Sequence, residues 1–235
     1  MRAATDVAAR WKNSGVYKGR GKMDGVKTLA DDKSSIVFVV GKRCFDVLGA
    51  LLGLIVLAPL FLLIALAIKM EDGGYAFYKQ DRNGRNGKVF CMYKFRSMCK
   101  NAEQMHQSLL GKNELDGPAF KLKDDPRVTK VGRFIRRTSL DELPQLVNIL
   151  KGEMSFVGPR PLPTYETAQC DDYQKQRLLV KPGLTCYWQC SGRNNLSFDE
   201  WIELDLKYIR EASLWVDFKI MCKTVACVIS GDGAY

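Results

Sequence analysis

Two adjacent carboxylates, Asp141 and Glu142, could do chemistry in the stretch GRFIRRTSLDELPQL. Three arginines precede them: Arg133, Arg136 and Arg137. Adjacent acids can divide labour in phosphate chemistry, because one can bind a hard metal ion while the other attacks phosphorus. The nearby arginines would supply positive charge for an anionic substrate. The stretch could therefore form a phosphoryl-transfer site, but the two acids could equally have a purely structural role.

The structural alternative is that the acids begin a helix. Ser139 and Glu142 fit a capping box, and acids in a first helical turn complement the helix dipole. A helix capped by Ser139 would put Pro144 where its missing N–H breaks a bond, whereas a helix capped by Asp141 would lose no bond. Pro144 therefore favours a helix that begins at Asp141, with both carboxylates at an N-terminus that attracts phosphate. These residues alone favour the capping role, with catalysis as the alternative.

The composition limits the classes of function. The 235 residues contain 36 Lys and Arg against 26 Asp and Glu, and the net charge of +10 indicates an anionic partner: nucleic acid, acidic lipid headgroups or a phosphorylated substrate. His106 is the one histidine, which argues against a histidine-based triad or a multi-histidine metal site. The eight cysteines contain no C-x-x-C pair and suit reduced thiols. Cys186 and Cys190 have no second ligand pair that would complete a zinc site.

A segment without charged residues runs from Val47 to Ile68. As a straight helix it would be about 33 Å long, enough to cross a bilayer. Basic residues flank it on both sides, so the positive-inside rule places both ends in the cytoplasm. Pro59 lacks an N–H, and its ring clashes with the carbonyl of Ile55. A helix that breaks at Pro59, dips into one leaflet and returns fits both observations, with an ordinary single span as the alternative.

The remaining sequence predicts a mixture of strands and helices. Two N-G pairs in DRNGRNG, between the runs YAFYKQ and KVFCMYKFRSM, predict a β-hairpin. Alternation along its second strand places Lys94 and Arg96 on one face, where two cations could bind a diphosphate or simply be solvated. Helices are predicted at NAEQMHQSLLG, at LPQLVNILKG with its end at Gly152, and at SFDEWIELDLKYIRE with a capping box from Ser197 to Glu200.

The two ends of the chain suggest contact with lipid. Residues 1–40 are polar and rich in Gly and Lys, and they predict a flexible basic arm lying on anionic lipid. A last amphipathic helix is predicted over about residues 213–229. Together with the preceding helix it carries Trp201, Tyr208 and Trp215, which suit a membrane interface, with ordinary core packing as the alternative.

The chain resembles the bacterial sugar transferase family in four motifs that occur in this order: KFRSM, RRTSLDELPQLVNILKGEMSFVGPRP, KPGLT and SGRN. Members are monotopic phosphoglycosyl transferases, which load the first sugar phosphate onto undecaprenyl phosphate. The resemblance covers roughly residues 42–230 and implies that a UDP-sugar and Mg²⁺ bind at the cytoplasmic face of the bacterial inner membrane. It further implies that a carboxylate attacks the sugar-bearing phosphorus and releases UMP, and that polyprenyl phosphate then attacks the covalent intermediate.

The resemblance assigns roles residue by residue. Asp141 matches the catalytic nucleophile, and Glu142 matches the Mg²⁺ ligand. The expected substrate-binding residues are the family matches Lys94, Arg136, Pro159, Arg160, Pro161 and Asp217, together with Arg96 from the strand pattern. The alternative is a surface ion pair for Arg136 and Arg160 and an exposed helix position for Asp217. Cys186 and Cys190 stand where the family usually has Gly and an aliphatic residue, which leaves the conformation of that loop open.

These observations predict an α+β fold: a small membrane-associated catalytic domain with a proline-broken re-entrant membrane helix, a β-hairpin and amphipathic interfacial helices. The expected parts are a flexible arm at residues 1–40, the re-entrant helix at residues 41–70 and a cytoplasmic catalytic domain at residues 71–235. UDP-sugar, undecaprenyl phosphate and membrane lipid are the expected partners, nucleic acid is not, and a homodimer is left open. Larger relatives carry additional N-terminal transmembrane helices, so the chain is expected to be a minimal form or an excised catalytic part.

The rival hypothesis is a membrane-anchored basic protein that binds anionic lipid or nucleic acid without catalysis. Binding through charge alone would weaken steeply with salt and would not respond to Asp141→Asn. The transferred sugar stays open, because no short motif fixes the recognition of its hydroxyl groups.

Overall fold

The computed structural model describes residues 34–109, 124–190 and 196–230, together with residues 111, 118, 120 and 122. Residues 1–33 of the predicted arm and the SGRN motif lie outside the described residues. In chain order the elements are α1 (Ser34–Val56), α2 (Ala58–Asp72), β1 (Phe77–Asn83), β2 (Val89–Phe95), α3 (Ala102–Leu109), α4 (Lys130–Arg137), α5 (Gln145–Lys151), β3 (Ser155–Val157), α6 (Thr164–Gln169), α7 (Asp172–Lys175), β4 (Gly183–Thr185), α8 (Phe198–Glu211) and α9 (Leu214–Ser230). The predicted mixture of helices and small sheets is confirmed.

The hydrophobic segment folds as two helices, α1 and α2, that meet at Leu57 with a bend of 61°. The N–H of Leu57 bonds the carbonyl of Gly53 at 2.9 Å, which completes α1 up to the bend. Pro59 lies in the first turn of α2, where a helix has no N–H bond to lose. The predicted break is therefore confirmed, but it lies at Leu57, two residues before Pro59. α1 begins at Ser34, so the last residues of the expected arm are helical.

Within the described residues no single helix is long and apolar enough to cross a membrane, whereas α1 and α2 together meet that criterion as a bent pair. One face of each helix packs on the domain, for example through Ala50 and Ile64. The other face exposes large aliphatic side chains, among them Val37, Leu48, Leu52, Ile55, Leu62 and Leu63. A contiguous apolar surface of this kind marks a place of contact with a membrane or another protein.

β1 and β2 pair antiparallel over their full lengths and confirm the predicted hairpin. The turn at Arg85–Gly87 is tight, with Asn86 in the left-handed region at φ 56°. β1 extends further than the sequence pattern indicates, so Arg82 belongs to β1 and not to the loop, whereas β2 ends at Phe95, inside the run that predicted it. A single bridge links Arg82 to Pro163, which brings the end of β1 to the chain that follows β3.

β3 and β4 form a parallel pair that holds the motif VGPRP against KPGLT. The two backbones touch at Gly158 and Gly183: a Cβ on Gly183 would lie 2.0 Å from the nitrogen of Gly158, so both positions need glycine. The N–H of Gly183 donates to the carbonyl of Pro159 at 3.0 Å, and the N–H of Gly158 donates to the carbonyl of Thr185 at 2.9 Å. These bonds fix the backbone immediately before Arg160.

The two C-terminal helices differ in their surroundings. α8 begins with the predicted capping box between Ser197 and Glu200. For α8 the alternative of core packing holds, because Tyr208 is 2% exposed and Trp201 stacks on a second tryptophan with ring centroids 4.3 Å apart. α9 instead leaves Trp215 62% exposed. An interfacial position thus stays a prediction for α9 alone.

Candidate active site

The acidic pair lies on a tight turn between α4 and α5. Ser139 takes the left-handed conformation at φ 57°, a 3₁₀ turn spans Leu140–Glu142, and Pro144 caps α5. The predicted helix start at Asp141 is therefore wrong, and the alternative capping box does not form, because the side chain of Ser139 makes no cap hydrogen bond. The left-handed residue reverses the chain after α4, and Pro144 takes a position at which its missing N–H breaks no helical bond.

Glu142 is the centre of a hydrogen-bonded ion cluster. Arg160 contacts both of its carboxylate oxygens, Nη1 with Oε2 at 2.9 Å and Nη2 with Oε1 at 2.5 Å. Lys94 Nζ lies 3.1 Å from Oε1, and Gln145 Nε2 donates to Oε2 at 3.2 Å. Burial alone would raise the pKa of Glu142, but Arg160 and Lys94 outweigh it and hold that pKa far below its usual range. Glu142 is therefore ionised at physiological pH, with its charge compensated.

Asp141 has the opposite environment. Its side chain is 8% exposed, and no described residue donates a hydrogen bond to its carboxylate. Burial raises the pKa of Asp141 to about 6; Lys94, Arg136 and Arg160 oppose this rise, and the negative charge of Glu142 adds to it. The carboxylate is thus ionised at neutral pH but poorly solvated, which suits a nucleophile.

Arg82 joins the site without having been predicted. β1 carries it to the segment Pro159–Pro161, where its Nη1 donates to the carbonyl of Pro161 at 2.8 Å. Burial lowers the pKa of Arg82 to about 10, and repulsion from the nearby Arg160 acts in the same direction. Strand alternation could have found Arg82, but the N-G pairs in DRNGRNG made it look like part of a loop.

The site holds more positive than negative charge. Burial lowers the pKa of Lys94 to about 8, although Glu142 acts against this shift. Among the described residues, the cations are Lys94, Arg82, Arg136 and Arg160, and the carboxylates are Asp141, Glu142 and Glu166. A buried cluster with surplus cations is suited to bind further anions, such as the phosphates of a nucleotide, because these replace the hydration that the cations have lost.

A buried ion pair between Arg177 and Asp205 holds the backbone of Arg160 in place. Arg177 Nη2 donates to the backbone carbonyl of Arg160 at 2.7 Å and to Asp205 Oδ2 at 2.5 Å. The thiol of Cys186 lies 3.3 Å from Asp205 Oδ1, and burial raises the pKa of this thiol well above its ordinary value. Cys186, one of the two departures from the family pattern, is thus an unreactive part of this support. Cys190 Sγ lies 3.4 Å from the carbonyl of Cys186.

Arg96 is not brought to the acidic pair. It forms an ion pair with Asp72 at the end of α2, and its Nε donates to the carbonyl of Tyr75 at 2.6 Å. The hydrogen bond from Arg96 lowers the pKa of Asp72 to about 2. The predicted pair of cations on one strand face does not form, because β2 ends at Phe95 and the alternation no longer applies to Arg96.

Asp217 lies in a second ion cluster. Lys42 Nζ donates to its Oδ2 at 2.5 Å, and the hydroxyl of Tyr208 donates to its Oδ1 at 2.8 Å. Lys42 also donates to the carbonyl of Val157 at 2.9 Å, so the cluster joins α1, α8, α9 and β3. Burial raises the pKa of Asp217, and Lys42 opposes the rise. The alternative of an exposed helix position is wrong, and none of these contacts is with the acidic pair.

The acidic pair matches the donor chemistry of Mg²⁺. In the described part of the chain no group of three or more His, Cys, Asp or Glu is arranged around a common point for a metal. Mg²⁺, however, is commonly bound by only one or two carboxylates together with substrate phosphates and water. Asp141 and Glu142 supply two adjacent carboxylates, and the charge of Asp141 lacks a hydrogen-bonded cation among the described residues. The pair therefore fits an ion that binds together with a phosphate.

A profile of the bacterial sugar transferase family matches residues 37–231, and the chain belongs to this family. The galactosyl transferase CpsE of Streptococcus agalactiae serotype III is 49% identical over 83% of this chain and 44% of its own length. The undecaprenyl-phosphate galactose phosphotransferase of Salmonella typhimurium is 46% identical over 83% of this chain and 41% of its own length. The exopolysaccharide production protein ExoY of Sinorhizobium fredii is 44% identical over 83% of this chain and 88% of its own length.

The chain spans less than half the length of the first two relatives and nearly nine tenths of the third. The family resemblance based on KFRSM, RRTSLDELPQLVNILKGEMSFVGPRP, KPGLT and SGRN is therefore confirmed. The structure brings together five of the residues that this resemblance singled out: Asp141, Glu142, Lys94, Arg136 and Arg160. Pro159 and Pro161 form the backbone on either side of Arg160.

Proposed function

We propose that the chain transfers a sugar 1-phosphate from a UDP-sugar to undecaprenyl phosphate, forms undecaprenyl-diphosphate-sugar and releases UMP. Family membership and the names of the relatives support this class of reaction. The observation that carries the proposal is Asp141: a buried carboxylate without a hydrogen-bond donor among the described residues, beside a Glu142 that is fully compensated. The difference suits Asp141 to act as the nucleophile and Glu142 to hold the surrounding cations in place.

In the first step a carboxylate oxygen of Asp141 attacks the phosphorus that bears the sugar. The new bond joins this oxygen to phosphorus, and the bond between that phosphorus and the bridging oxygen breaks, so that the electron pair leaves with UMP. No general base is needed, because a carboxylate with a pKa of about 6 is already ionised at neutral pH. This agrees with a site that contains no histidine among its assembled residues.

The cations around Glu142 neutralise charge on the substrate. Arg160 and Lys94 contact Glu142 through side-chain atoms, so both can turn to phosphate oxygens when a diphosphate enters. Arg82 and Arg136 add positive charge near the pair. Mg²⁺, held by Glu142, would supply further neutralisation of the diphosphate. Positioning and neutralisation of this kind are the main catalytic contributions in phosphoryl transfer.

In the second step an oxygen of undecaprenyl phosphate attacks the same phosphorus. The bond from phosphorus to Asp141 breaks and returns the electron pair to the carboxylate, which restores the starting state. The acceptor is a phosphate monoester that is ionised near neutral pH, so this step also needs little help from a base. A two-step path requires that UMP leaves before the acceptor phosphate takes its place.

The bent pair α1–α2 would hold the acidic pair at a membrane surface. In the proposed arrangement both helices enter one leaflet of the bacterial inner membrane, and the catalytic domain faces the cytoplasm. The bend of 61° and the exposed aliphatic faces support this placement over a straight span. Labelling of single cysteines introduced on each side of the pair tests it: periplasmic labelling of either flank would rule out re-entry.

The experiment that tests the reaction is a UMP-release screen over a panel of UDP-sugars, with Mg²⁺ and undecaprenyl phosphate supplied. We expect release with one or a few sugars, and none without the acceptor beyond a single turnover. The screen also names the sugar, which neither the sequence nor the fold specifies. If no UDP-sugar yields UMP while the protein still binds anionic lipid strongly at low salt, the non-catalytic rival hypothesis is favoured.

A further inference from the structure

A cavity of about 530 Å³ lies between the first half of α1 and the catalytic domain, and we call it the α1 cavity. Aliphatic side chains make up much of its wall: Ile36, Val39 and Val40 from α1, Val180 before β4 and Ile209 from α8. The hairpin turn between β1 and β2 closes another side. The α1 cavity shares no lining residue with the acidic pair or with the cations that contact Glu142.

Four cations line the α1 cavity, and two of them already bind acceptors within the protein. Lys42 is paired with Asp217 at 2.5 Å. Arg43 donates to the carbonyls of Ile149 and Leu150, both at 2.7 Å, and so ties α1 to the end of α5. The one carboxylate in the lining, Asp46, is also used, because it accepts from the hydroxyl of Ser155 at 2.9 Å and from the N–H of Phe156 at 3.0 Å.

The other two cations, Arg85 and Lys181, have no side-chain or backbone acceptor among the described residues. Arg85 comes from the hairpin turn, and Lys181 from the segment that leads into β4. Burial lowers the pKa of Lys181, and the positive charges of Arg43, Arg85 and Lys42 act in the same direction, although the carboxylate of Asp46 opposes the shift. Like charges gathered beside an apolar cavity cost free energy unless an anion joins them.

We infer that the α1 cavity binds an anionic phospholipid of the membrane, with the headgroup phosphate at Arg85 and Lys181 and an acyl chain along the aliphatic wall of α1. The charge of the rim and the apolar depth of the cavity match the two ends of such a lipid. This inference rests on the membrane placement proposed above and does not depend on the phosphoryl-transfer reaction.

Two other occupants agree less well with the structure. Undecaprenyl phosphate must present its phosphate to Asp141, but among the described residues no hydrogen bond or ion pair joins the lining of the α1 cavity to the acidic pair. Residues 1–33 of this chain carry eight Lys and Arg against four Asp, so their net charge has the same sign as the rim of the cavity. A bilayer phospholipid with a negative headgroup has the complementary charge and is present wherever α1 meets the membrane.

Native mass spectrometry of the full chain in detergent, with phosphatidylglycerol or phosphatidylcholine of identical acyl chains, tests this inference. We expect one phosphatidylglycerol per chain and clearly weaker retention of phosphatidylcholine. The double substitution Arg85→Gln, Lys181→Gln should weaken phosphatidylglycerol binding at least about tenfold, because it removes both charge-assisted contacts to the phosphate. Lys175→Gln removes one charge from an exposed position on α7 outside the cavity and should leave binding unchanged.

Additional variants in the same experiment distinguish lipid binding in the α1 cavity from the proposed reaction. Lys181→Arg should keep the binding, which distinguishes a lost charge from a disturbed fold. Asp141→Asn should also keep it, even though turnover is lost. Equal retention of both lipids, or undiminished binding by the double variant, would overturn the inference. Displacement of phosphatidylglycerol by equimolar undecaprenyl phosphate would also overturn it, because the cavity would then be an acceptor site.

Discussion

The acidic-pair site and the α1 cavity both gather cations, but they differ in what lies among these cations. In the acidic-pair site Arg160 and Lys94 contact Glu142, while Asp141 receives no hydrogen bond from any described residue. In the α1 cavity the carboxylate in the lining, Asp46, accepts two hydrogen bonds at Oδ1, and two cations, Arg85 and Lys181, lack an acceptor among the described residues. In the roles proposed here, cations alone suffice to bind a phosphate in the α1 cavity, whereas transfer at the acidic pair also requires a carboxylate without a hydrogen-bond donor.

The largest effect expected from this contrast is on turnover. Asp141→Asn should lower the rate of UMP release at least about a thousandfold, because the amide keeps the shape of the side chain but cannot attack phosphorus. Asp81→Asn is the matched control: it removes the same charge from an exposed position on β1 and should keep turnover within about twofold. Full activity of Asp141→Asn would show that the unsatisfied carboxylate is not the nucleophile.

The second effect concerns stability and tests whether Glu142 organises the cations. Glu142→Gln should lower the free energy of unfolding by about 3 kcal/mol at neutral pH, because Arg160 and Lys94 lose the charge that compensates them. The folded-state pKa of Glu142 lies below the unfolded one, so its contribution is complete at neutral pH and is lost as the pH falls below the usual glutamate range. Denaturant unfolding at neutral and acidic pH measures this loss.

A double-mutant cycle provides the control for Glu142. If Arg160 is also replaced by Gln, the two losses should not add, because the second substitution removes a charge that the first has already left uncompensated. Additive losses, or no loss from Glu142→Gln alone, would contradict the ion cluster.

The third effect has the opposite sign, and it sharpens the contrast between the two acids. Asp141→Asn should stabilise the fold at neutral pH by at most about 3 kcal/mol, since burial raises the pKa of Asp141 from 3.8 to about 6. The cost of the ionised group is present above the folded-state pKa and disappears below the unfolded one, where both states are protonated. Thermal unfolding midpoints of wild type and variant should therefore differ at neutral pH and converge in acid; a lower midpoint for the variant at neutral pH would count against the raised pKa.

The smallest effect is the pH dependence of the reaction. The value of kcat/KM for the UDP-sugar should rise about tenfold between about pH 5 and pH 7, because the ionised fraction of Asp141 in the free enzyme follows a pKa of about 6. A steady-state series with the sugar chosen by the UMP screen measures it. A flat profile through this interval would show that Asp141 is already fully ionised at pH 5.

Local signals made much of the fold predictable. The hairpin follows from its N-G pairs, the start of α8 from the capping box of Ser197 and Glu200, and the end of α5 from Gly152, which takes the left-handed conformation at φ 80°. The bend between α1 and α2 follows from Pro59, although its position is shifted to Leu57. Each of these features depends on residues that are neighbours in the chain.

The features that sequence reasoning missed depend on contacts between distant residues. Ser139 in the left-handed conformation replaces the expected helix start because α4 and α5 must both pack on the domain. A β-bridge to Pro163 places Arg82 in the site, whereas Arg96 lies outside it in an ion pair with Asp72. The residue types in the site were predictable from the family motifs, whereas the split between an unsatisfied Asp141 and a compensated Glu142 appears only in three dimensions.

The central claim is that Asp141 carries the sugar phosphate during transfer. The most direct test mixes the full chain with Mg²⁺ and the UDP-sugar selected by the UMP screen, without polyprenyl phosphate, and analyses the quenched protein by peptide mass spectrometry. We predict one sugar phosphate on Asp141, its removal when undecaprenyl phosphate is added, and none in Asp141→Asn. A sugar phosphate on Glu142 or on another residue, or steady turnover with no adduct at any quench time, would contradict the account.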